Sequence, residues 1–355
     1  MTLTQLQSPR KKFLSSVNYF RGIAIVLIVL GHCYDLSRWD ISSVAEKIFY
    51  VTTLNGSVYF VFISGFLYYH VFYHKFEFKK FMVKKTKYIV VPYLFFSALP
   101  ILYEIFVNGG GEYLPTELKD NHLLAAAWYL ITGRVSYAYW YIPMAILLFA
   151  ISPIINKIIK SQKVLLVSLF LLPISLIVHR SLDNLNPVHS LVYFLPVYLI
   201  GIWSSINHQK IVNYLKSNVR KLILLVMIFD LAAVQVLLFQ EPGNFHKEFW
   251  SVTVPDVNLL QKILLCFLFM SILNRYENTD FTLIKKTAET SFAIYFIHPF
   301  LINALISVLY RLNVDYEGNF LLLILATCMI TAVSMAIALG FKAVFKENSR
   351  YLIGW

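Results

Sequence analysis

The sequence has few charged residues for its length. Only 14% of its 355 residues are Asp, Glu, Lys or Arg, against about 25% in ordinary soluble domains. Apolar residues make up 58%, and they form runs long enough to cross a bilayer from one end of the chain to the other. No long polar stretch separates these runs. We therefore predict an all-α, polytopic integral membrane protein with a single domain over residues 1–355.

Cysteine is also scarce. Cys33, Cys266 and Cys328 lie in apolar segments at unrelated positions, which gives neither a disulfide framework nor a set of metal ligands. We expect three buried free thiols and no metal site. The first apolar segment contains Arg21 and His32 and is not followed by a small-residue cleavage site, so we expect it to be retained rather than removed as a signal peptide.

The apolar runs predict ten transmembrane helices. A shorter apolar piece at 122–133 is too short to cross, and we predict an interfacial or re-entrant element there. Prolines are frequent within the spans, and because each removes a helix hydrogen bond and tends to kink the helix, the kinked helices leave room for a cavity. The predicted spans are 19–37, 55–74, 86–107, 138–159, 163–180, 187–207, 219–239, 258–275, 291–311 and 319–345.

The basic residues predict the orientation. With the N-terminus placed inside, 22 Lys and Arg residues fall in the inner segments and 7 in the outer ones, which is a strong positive-inside signal. We therefore expect a cell-membrane protein with both termini in the cytoplasm. The net charge of +12 then describes a basic cytoplasmic face. It does not require a nucleic acid partner, although it could attract membrane lipid or an anionic cytosolic ligand.

The first span, FRGIAIVLIVLGHCYDL, holds the most informative pair of residues. Arg21 and His32 are eleven positions apart, three helical turns plus about 20°, so they share one face with a rise of about 16 Å. An ionisable residue at the depth of His32 is a functional hypothesis by default. We predict His32 as a general base and Arg21 as an anion-binding group. The alternatives are a histidine bonded to a neighbouring helix and an arginine that extends to lipid headgroups.

Two further positions extend this site. Asp35 follows His32 by three positions on nearly the same face, where it could orient the imidazole or simply be solvated at the outer interface. Ser64 and Gly65 in the second span are small residues that admit the close approach of a ligand or of another helix.

Aromatic and polar residues of two later spans complete the set of candidates. Trp140 and Tyr141 open the fourth span, where they could stack on a sugar or belong to the interfacial aromatic belt. Tyr295 and His298 lie on one face of the ninth span. A second deep histidine strengthens the prediction of a polar cavity.

At these residues the chain resembles the acyltransferase 3 membrane family. The best marker of that family is an arginine, ten intervening residues and a histidine in the first helix, which RGIAIVLIVLGH matches at Arg21 and His32. The segments FVFISGF, KKTKYIVVPYLFF, WYIP and IYFIHP are also similar to family patterns, in the second, third, fourth and ninth spans. The resemblance covers essentially the whole chain, and it is to short members linked to exopolysaccharide or intercellular-adhesin modification.

The resemblance implies ten helices around a cavity and the transfer of an acyl group, usually acetyl, from cytosolic acyl-CoA to a hydroxyl of a glycan or lipid-linked sugar. By that resemblance His32 is catalytic and Arg21 helps to bind the donor. Acyl-CoA is then a co-substrate with no bound cofactor, and polysaccharide-synthesis machinery is a possible partner. His32 could activate the acceptor for direct attack or be transiently acylated. The alternative function is a polysaccharide exporter or flippase, which predicts a repeat symmetry that we do not detect.

Overall fold

The computed structural model describes residues 13–240 and 246–355, and over these residues the protein is helical as predicted. The predicted inner residues Arg10, Lys11 and Lys12 lie outside them. The α-helices are α1 (Ser15–Ser37), α2 (Val44–Thr53), α3 (Ser57–Leu67), α4 (Phe78–Lys85), α5 (Val91–Phe106), α6 (His122–Thr132), α7 (Tyr141–Ala150), α8 (Ser152–Lys160), α9 (Val164–Val178), α10 (Pro187–Ile206), α11 (His208–Tyr214), α12 (Asn218–Ala233), α13 (Val257–Leu273), α14 (Thr282–Glu289), α15 (Ser291–Arg311), α16 (Phe320–Phe345) and α17 (Ser349–Leu352).

Short irregular elements join and extend these helices. Two-residue strands, β1 (Arg180–Ser181) and β2 (His246–Lys247), pair in parallel. Single π-helical turns interrupt or extend three of the long helical passes. Such turns are rare in proteins, and those that occur often lie at functional sites. The π turns are Tyr68–Phe72, Thr86–Val90 and Val234–Leu238, and the 3₁₀ turns are Tyr73–Lys75, Thr116–Leu118, Leu182–Asn184, Asn274–Tyr276 and Lys346–Asn348.

Among residues 13–240 and 246–355, eight helical passes are long and apolar enough to span a membrane. The pair α7 and α8 makes a ninth if it is one span, and it is bent by 54° near Pro153 in the first turn of α8, as a proline predicts. The eight passes are Ser15–Ser37, Val44–Lys75, Phe78–Phe106, Pro187–Ile206, Asn218–Leu238, Val257–Tyr276, Ser291–Arg311 and Phe320–Leu352.

The remaining predicted span, 163–180, corresponds to α9, which has only 15 residues. Phe13, Lys75 and Arg350 line one cavity, so both ends of the described chain lie on the same side of the molecule. A chain that returns to its starting side crosses the membrane an even number of times. The eight long passes are already an even number, and crossing by both the bent pair and α9, which would give the predicted ten, stays a prediction.

The structure moves several predicted boundaries. The second pass begins at Val44 instead of 55, because Ser43 and Glu46 form a capping box that starts α2, and the pass breaks between α2 and α3. The third begins at Phe78 instead of 86. The short apolar element predicted at 122–133 is present as α6.

The thiols are free, as expected, but they are not all buried. Cys33 and Cys266 are buried, whereas Cys328 is exposed, so the prediction of three buried thiols is wrong at that position. An exposed apolar face is what a helix at the lipid boundary requires, and sequence alone does not distinguish the lipid face of α16 from its protein face.

Helices α3 and α10 approach each other unusually closely. A Cβ atom added to Gly65 would overlap the carbonyl oxygen of Tyr198, and one added to Gly201 would overlap that of Phe62. Glycine is therefore required at both positions for the two backbones to pack. This contact fixes α3 against α10 beside both of the cavities described below.

Two polar anchors hold α1 and α2 in place. The backbone N–H groups of Ser15 and Ser16 donate to the Glu277 carboxylate, at 2.8 and 2.9 Å, which places a negative charge at the positive end of α1. The fully buried Lys262 donates from Nζ to the Val51 carbonyl oxygen at 2.9 Å. It thereby satisfies a carbonyl at the end of α2, where the second pass breaks.

Candidate active site

A large cavity of about 1040 Å³ opens where both ends of the described chain meet. It is lined by the start of α1, the end of α3 with its π turn, the end of α4, single residues of α7 and α10, and Arg350 near the C-terminus. No acidic side chain of the described residues lines it. Its basic lining residues are Arg21, His70, His74, Lys75, Lys85 and Arg350. Such a lining favours an anionic ligand.

Arg21 and Ser64, both predicted, meet in this large cavity from α1 and α3. The Nε atom of Arg21 is buried and has no hydrogen-bond partner among the described residues. Glu289 acts on the Arg21 charge electrostatically, and no ion pair joins them within the described chain. A buried donor left open in this way is unusual, and a bound anion would satisfy it.

Sequence reasoning missed most of the other basic residues of the large cavity. His70 enters through the π turn Tyr68–Phe72, which hydrophobic periodicity does not reveal. The Lys85 ammonium lies 4.4 Å from the ring centroid of Phe149 and 5.0 Å from that of Phe72, so aromatic faces hold it at the cavity wall. The only signal in the sequence is the dense run of lysines predicted to be cytoplasmic.

A second, much smaller cavity of about 30 Å³ lies farther along the same two helices. Four predicted residues, His32, Trp140, Tyr141 and Tyr295, line it together. They come from α1, the start of α7 and α15. The volume has room for about two water molecules, and most of its lining is aromatic.

The ring of His32 lies between two other polar rings. Its centroid is 4.7 Å from that of Tyr137 and 5.4 Å from that of His298. The Nδ1 atom of His298 is 2.9 Å from the carbonyl oxygen of Ile294. Because a carbonyl only accepts, Nδ1 carries the proton, and Nε2 of neutral His298 is an acceptor. That Nε2 atom is buried without a hydrogen-bond partner in the described chain, so it is available for proton transfer.

Two buried hydrogen bonds fix the wall of the small cavity. The Tyr295 hydroxyl donates to the carbonyl oxygen of Ala138 at 2.6 Å, and the Tyr139 hydroxyl donates to that of Phe296 at 2.8 Å. The segment before α7 therefore donates one hydrogen bond to α15 and accepts one from it. Tyr295 lines the cavity, but its hydroxyl is already engaged as a donor.

Three predicted site residues do not line these cavities, and of them His298 packs against the His32 ring. Asp35 is exposed, and no hydrogen bond joins its carboxylate to His32. Its neighbours Tyr34 and Leu36 are buried, so Asp35 lies on an exposed face of α1. Gly65 belongs to the contact between α3 and α10 and does not line either cavity.

The two cavities are separate but aligned. Arg21 and Ser64 line the large one, and His32 and Ser57 line the small one, so both follow facing stripes of α1 and α3. They share no lining residue. On α1 the intervening level is occupied by Ala24, which is fully buried. A thin packed layer thus divides the two spaces.

A basic cluster lies beside the small cavity on the side away from the large one. The Arg180 guanidinium lies 4.5 Å from the centroid of Trp140 and donates to Asn184. Burial lowers the pKa of Arg180 to about 10, which leaves it charged. Burial and the charges of Arg180 and Arg134 lower the pKa of His246 to about 2, so this imidazole is neutral at physiological pH. Sequence reasoning did not select Arg180 as a site residue.

A comparison with protein families now bears on this geometry. A family model described as an acyltransferase domain matches residues 14–339. This range includes every residue that lines the two cavities except Phe13 and Arg350. No curated protein and no solved structure matches the chain significantly. The predicted resemblance is confirmed: the chain belongs to the acyltransferase 3 family and is a membrane acyltransferase.

Proposed function

We propose that the protein transfers an acetyl group from cytosolic acetyl-CoA to a hydroxyl of a glycan or lipid-linked sugar at the outer side of the cell membrane. The acceptor comes from polysaccharide-synthesis machinery. The observation that carries the proposal is the large cavity, with six basic lining side chains and no acidic one in the described chain. CoA is a polyphosphate, and guanidinium groups bind phosphate by paired hydrogen bonds. A volume of about 1040 Å³ is at the upper end for ligand pockets.

The alignment of the cavities supports a path from donor to catalytic group. The thioester of acetyl-CoA lies at the opposite end of the molecule from its phosphates. A donor with its phosphates at Arg21 can direct its pantetheine arm along α1 toward His32, about 16 Å away. The packed layer at Ala24 must open for the pantetheine arm to pass. We expect binding of the donor to induce this opening.

The small cavity suits the chemistry of transfer. His32 takes the proton of the acceptor hydroxyl as that oxygen attacks the thioester carbonyl, and the CoA sulfur leaves and receives the proton. In the second route the His32 nitrogen attacks the thioester carbonyl and the CoA thiolate leaves. The acceptor hydroxyl then attacks the acetyl-imidazole, the bond to His32 breaks, and the hydroxyl proton passes by way of the imidazole to the thiolate. His298, with an open Nε2 acceptor, stands beside His32 in both routes. A volume of about 30 Å³ favours acetyl over a long acyl chain.

The test is mass spectrometry of surface glycans from cells that produce the wild type or the His32→Ala variant. We expect acetyl groups on the glycan only with the wild type. Protein level and membrane insertion are checked in parallel, and Cys328→Ala, an exposed thiol outside both cavities, is the control. Acetylation that persists in His32→Ala contradicts the proposal. Loss of the whole glycan from the surface, instead of its acetyl groups, indicates an exporter.

A further inference from the structure

We infer that residues 346–355, named here the C-terminal strap, complete the donor site and that Arg350 binds the 3′-phosphate of CoA. The inference rests on the proposed function. The family match ends at residue 339, so this contribution comes from a part of the chain outside the matched domain. Arg350 is the only strap residue that lines the large cavity.

The strap is fixed to the body of the protein. Lys346 ends α16 with a φ of 49°, which turns the chain back toward the helices. Ile353 is fully buried in a cluster with Ala293 and Ile297 of α15. The Ser349 hydroxyl donates to the carbonyl oxygen of Trp355 at 2.5 Å, which closes the last turn. The strap is therefore packed into the structure over most of its length.

Packing against the π turn Thr86–Val90 holds Arg350 at the cavity. The Arg350 guanidinium lies 4.2 Å from the ring centroid of Tyr88, and Tyr351 stacks on the same ring with centroids 5.7 Å apart. Lys87 lies 4.3 Å from the Tyr351 ring. These aromatic contacts orient the guanidinium without neutralising it, and Arg350 forms no ion pair within the described residues.

The position of Arg350 selects one phosphate of the donor. Arg21 lies within the first span, whereas Arg350 reaches the cavity from the strap beyond the last one. CoA carries a diphosphate next to its pantetheine arm and a separate 3′-phosphate on the ribose. If the arm points along α1 to His32, the ribose is the end that remains at the cavity mouth. The 3′-phosphate then meets Arg350, and the diphosphate lies closer to Arg21.

The experiment measures calorimetric binding of CoA and of 3′-dephospho-CoA to the full-length protein in detergent. We expect the wild type to bind CoA about tenfold more tightly than 3′-dephospho-CoA, from one charge-assisted pair. Arg350→Ala is expected to weaken CoA binding about tenfold and to leave 3′-dephospho-CoA binding unchanged, so the preference disappears. Arg350→Lys should retain part of it, since lysine keeps the charge but loses the paired geometry.

The matched control is Lys346→Asn. It removes one positive charge from the same strap outside the cavity. We expect it to bind both ligands like the wild type. Thermal melting confirms that each variant is folded.

Two outcomes overturn the assignment. In one, Arg350→Ala still distinguishes CoA from 3′-dephospho-CoA. In the other, it weakens both ligands equally, which places Arg350 at a different part of the donor or makes its role structural. Failure of the proposed function looks different: the wild type then binds neither ligand.

Discussion

The two cavities along α1 and α3 differ in size and in charge. The large one is open and basic, whereas the small one has about 30 Å³ and is lined mainly by aromatic rings around His32. Phosphates can be held in an open, charged space without being stripped of all their water. A thioester under attack is better placed in a small space from which bulk water is excluded, because hydrolysis competes there. The proposed function therefore separates donor binding from acyl transfer along a single pair of helices.

The largest expected effect comes from a change confined to the small cavity. His32→Gln should lower the rate of acetyl transfer at least about 100-fold, because it removes the general base, and leave CoA binding unchanged. Transfer rate and calorimetric CoA affinity are measured on the same preparation. If CoA affinity falls in parallel with the rate, the two cavities do not have separate roles.

A change confined to the large cavity should give the opposite pattern. Arg21→Ala is expected to raise the Kd for CoA about tenfold or more, since a charge-assisted hydrogen bond contributes about 1.5–3 kcal/mol, with little change in rate at saturating donor. The same substitution at the exposed Arg311 is the control. A fall in the saturated rate with normal CoA affinity would place Arg21 in the chemical step.

The shared wall of the cavities can be tested through stability. Gly65→Ala should cost about 1–3 kcal/mol, because the new methyl group overlaps the backbone of α10. Gly340→Ala is the matched control, since a Cβ there meets nothing within 4 Å, and it should stabilise α16 by up to about 1 kcal/mol. Melting temperatures in detergent report both changes. Equal behaviour of the two variants would contradict the close approach of α3 and α10.

The smallest expected effect concerns the basic cluster beyond the small cavity. His246 has a pKa lowered to about 2, below the value of about 6.5 in an unfolded chain. The unfolded state therefore binds the proton first, and stability is present above pH 6.5 and declines as the pH falls. Between pH 6.5 and 5 the loss is about 2 kcal/mol.

Melting temperatures at pH 7 and pH 5 measure this decline, and His246→Gln should reduce it. Part of the decline is expected to remain, because burial also lowers the pKa of His179 in the same region. An unchanged decline in the variant would show that His246 is solvated in the folded protein.

Much of the fold follows from the sequence. Apolar periodicity located the eight long passes and the short element α6, and the proline-bearing fourth span is bent by 54°. The helical spacing of Arg21 and His32 placed them correctly on one stripe, although each faces its own cavity. These features depend on residues that are close in the sequence, so they can be predicted from hydropathy and from the 100° that each residue turns in a helix.

The remainder depends on contacts between distant segments. His32 and His298 are neighbours across two helices, and Arg350 reaches a cavity that begins at α1; no periodicity encodes either pairing. The sequence did not show whether Gly65 makes room for a ligand or for another helix. That choice depends on knowing that α10 packs against it. The π turn that contains His70 could not be predicted from the sequence either. Its backbone hydrogen bonds are shifted by one residue from those of an α-helix, and this shift leaves no mark on the pattern of apolar residues.

The short helix α9 also matters for the membrane around the protein. Its 15 residues extend only about 22 Å, against a hydrocarbon core of about 30 Å, and Leu166 and Phe170 on it face outward. If α9 crosses the membrane as predicted, the adjoining lipids must thin to match it. Helix α9 packs on α10, whose Tyr198 lines the large cavity. With the proposed function, such thinning would bring the two leaflets together beside the cavities and shorten the distance between a lipid-borne acceptor and His32.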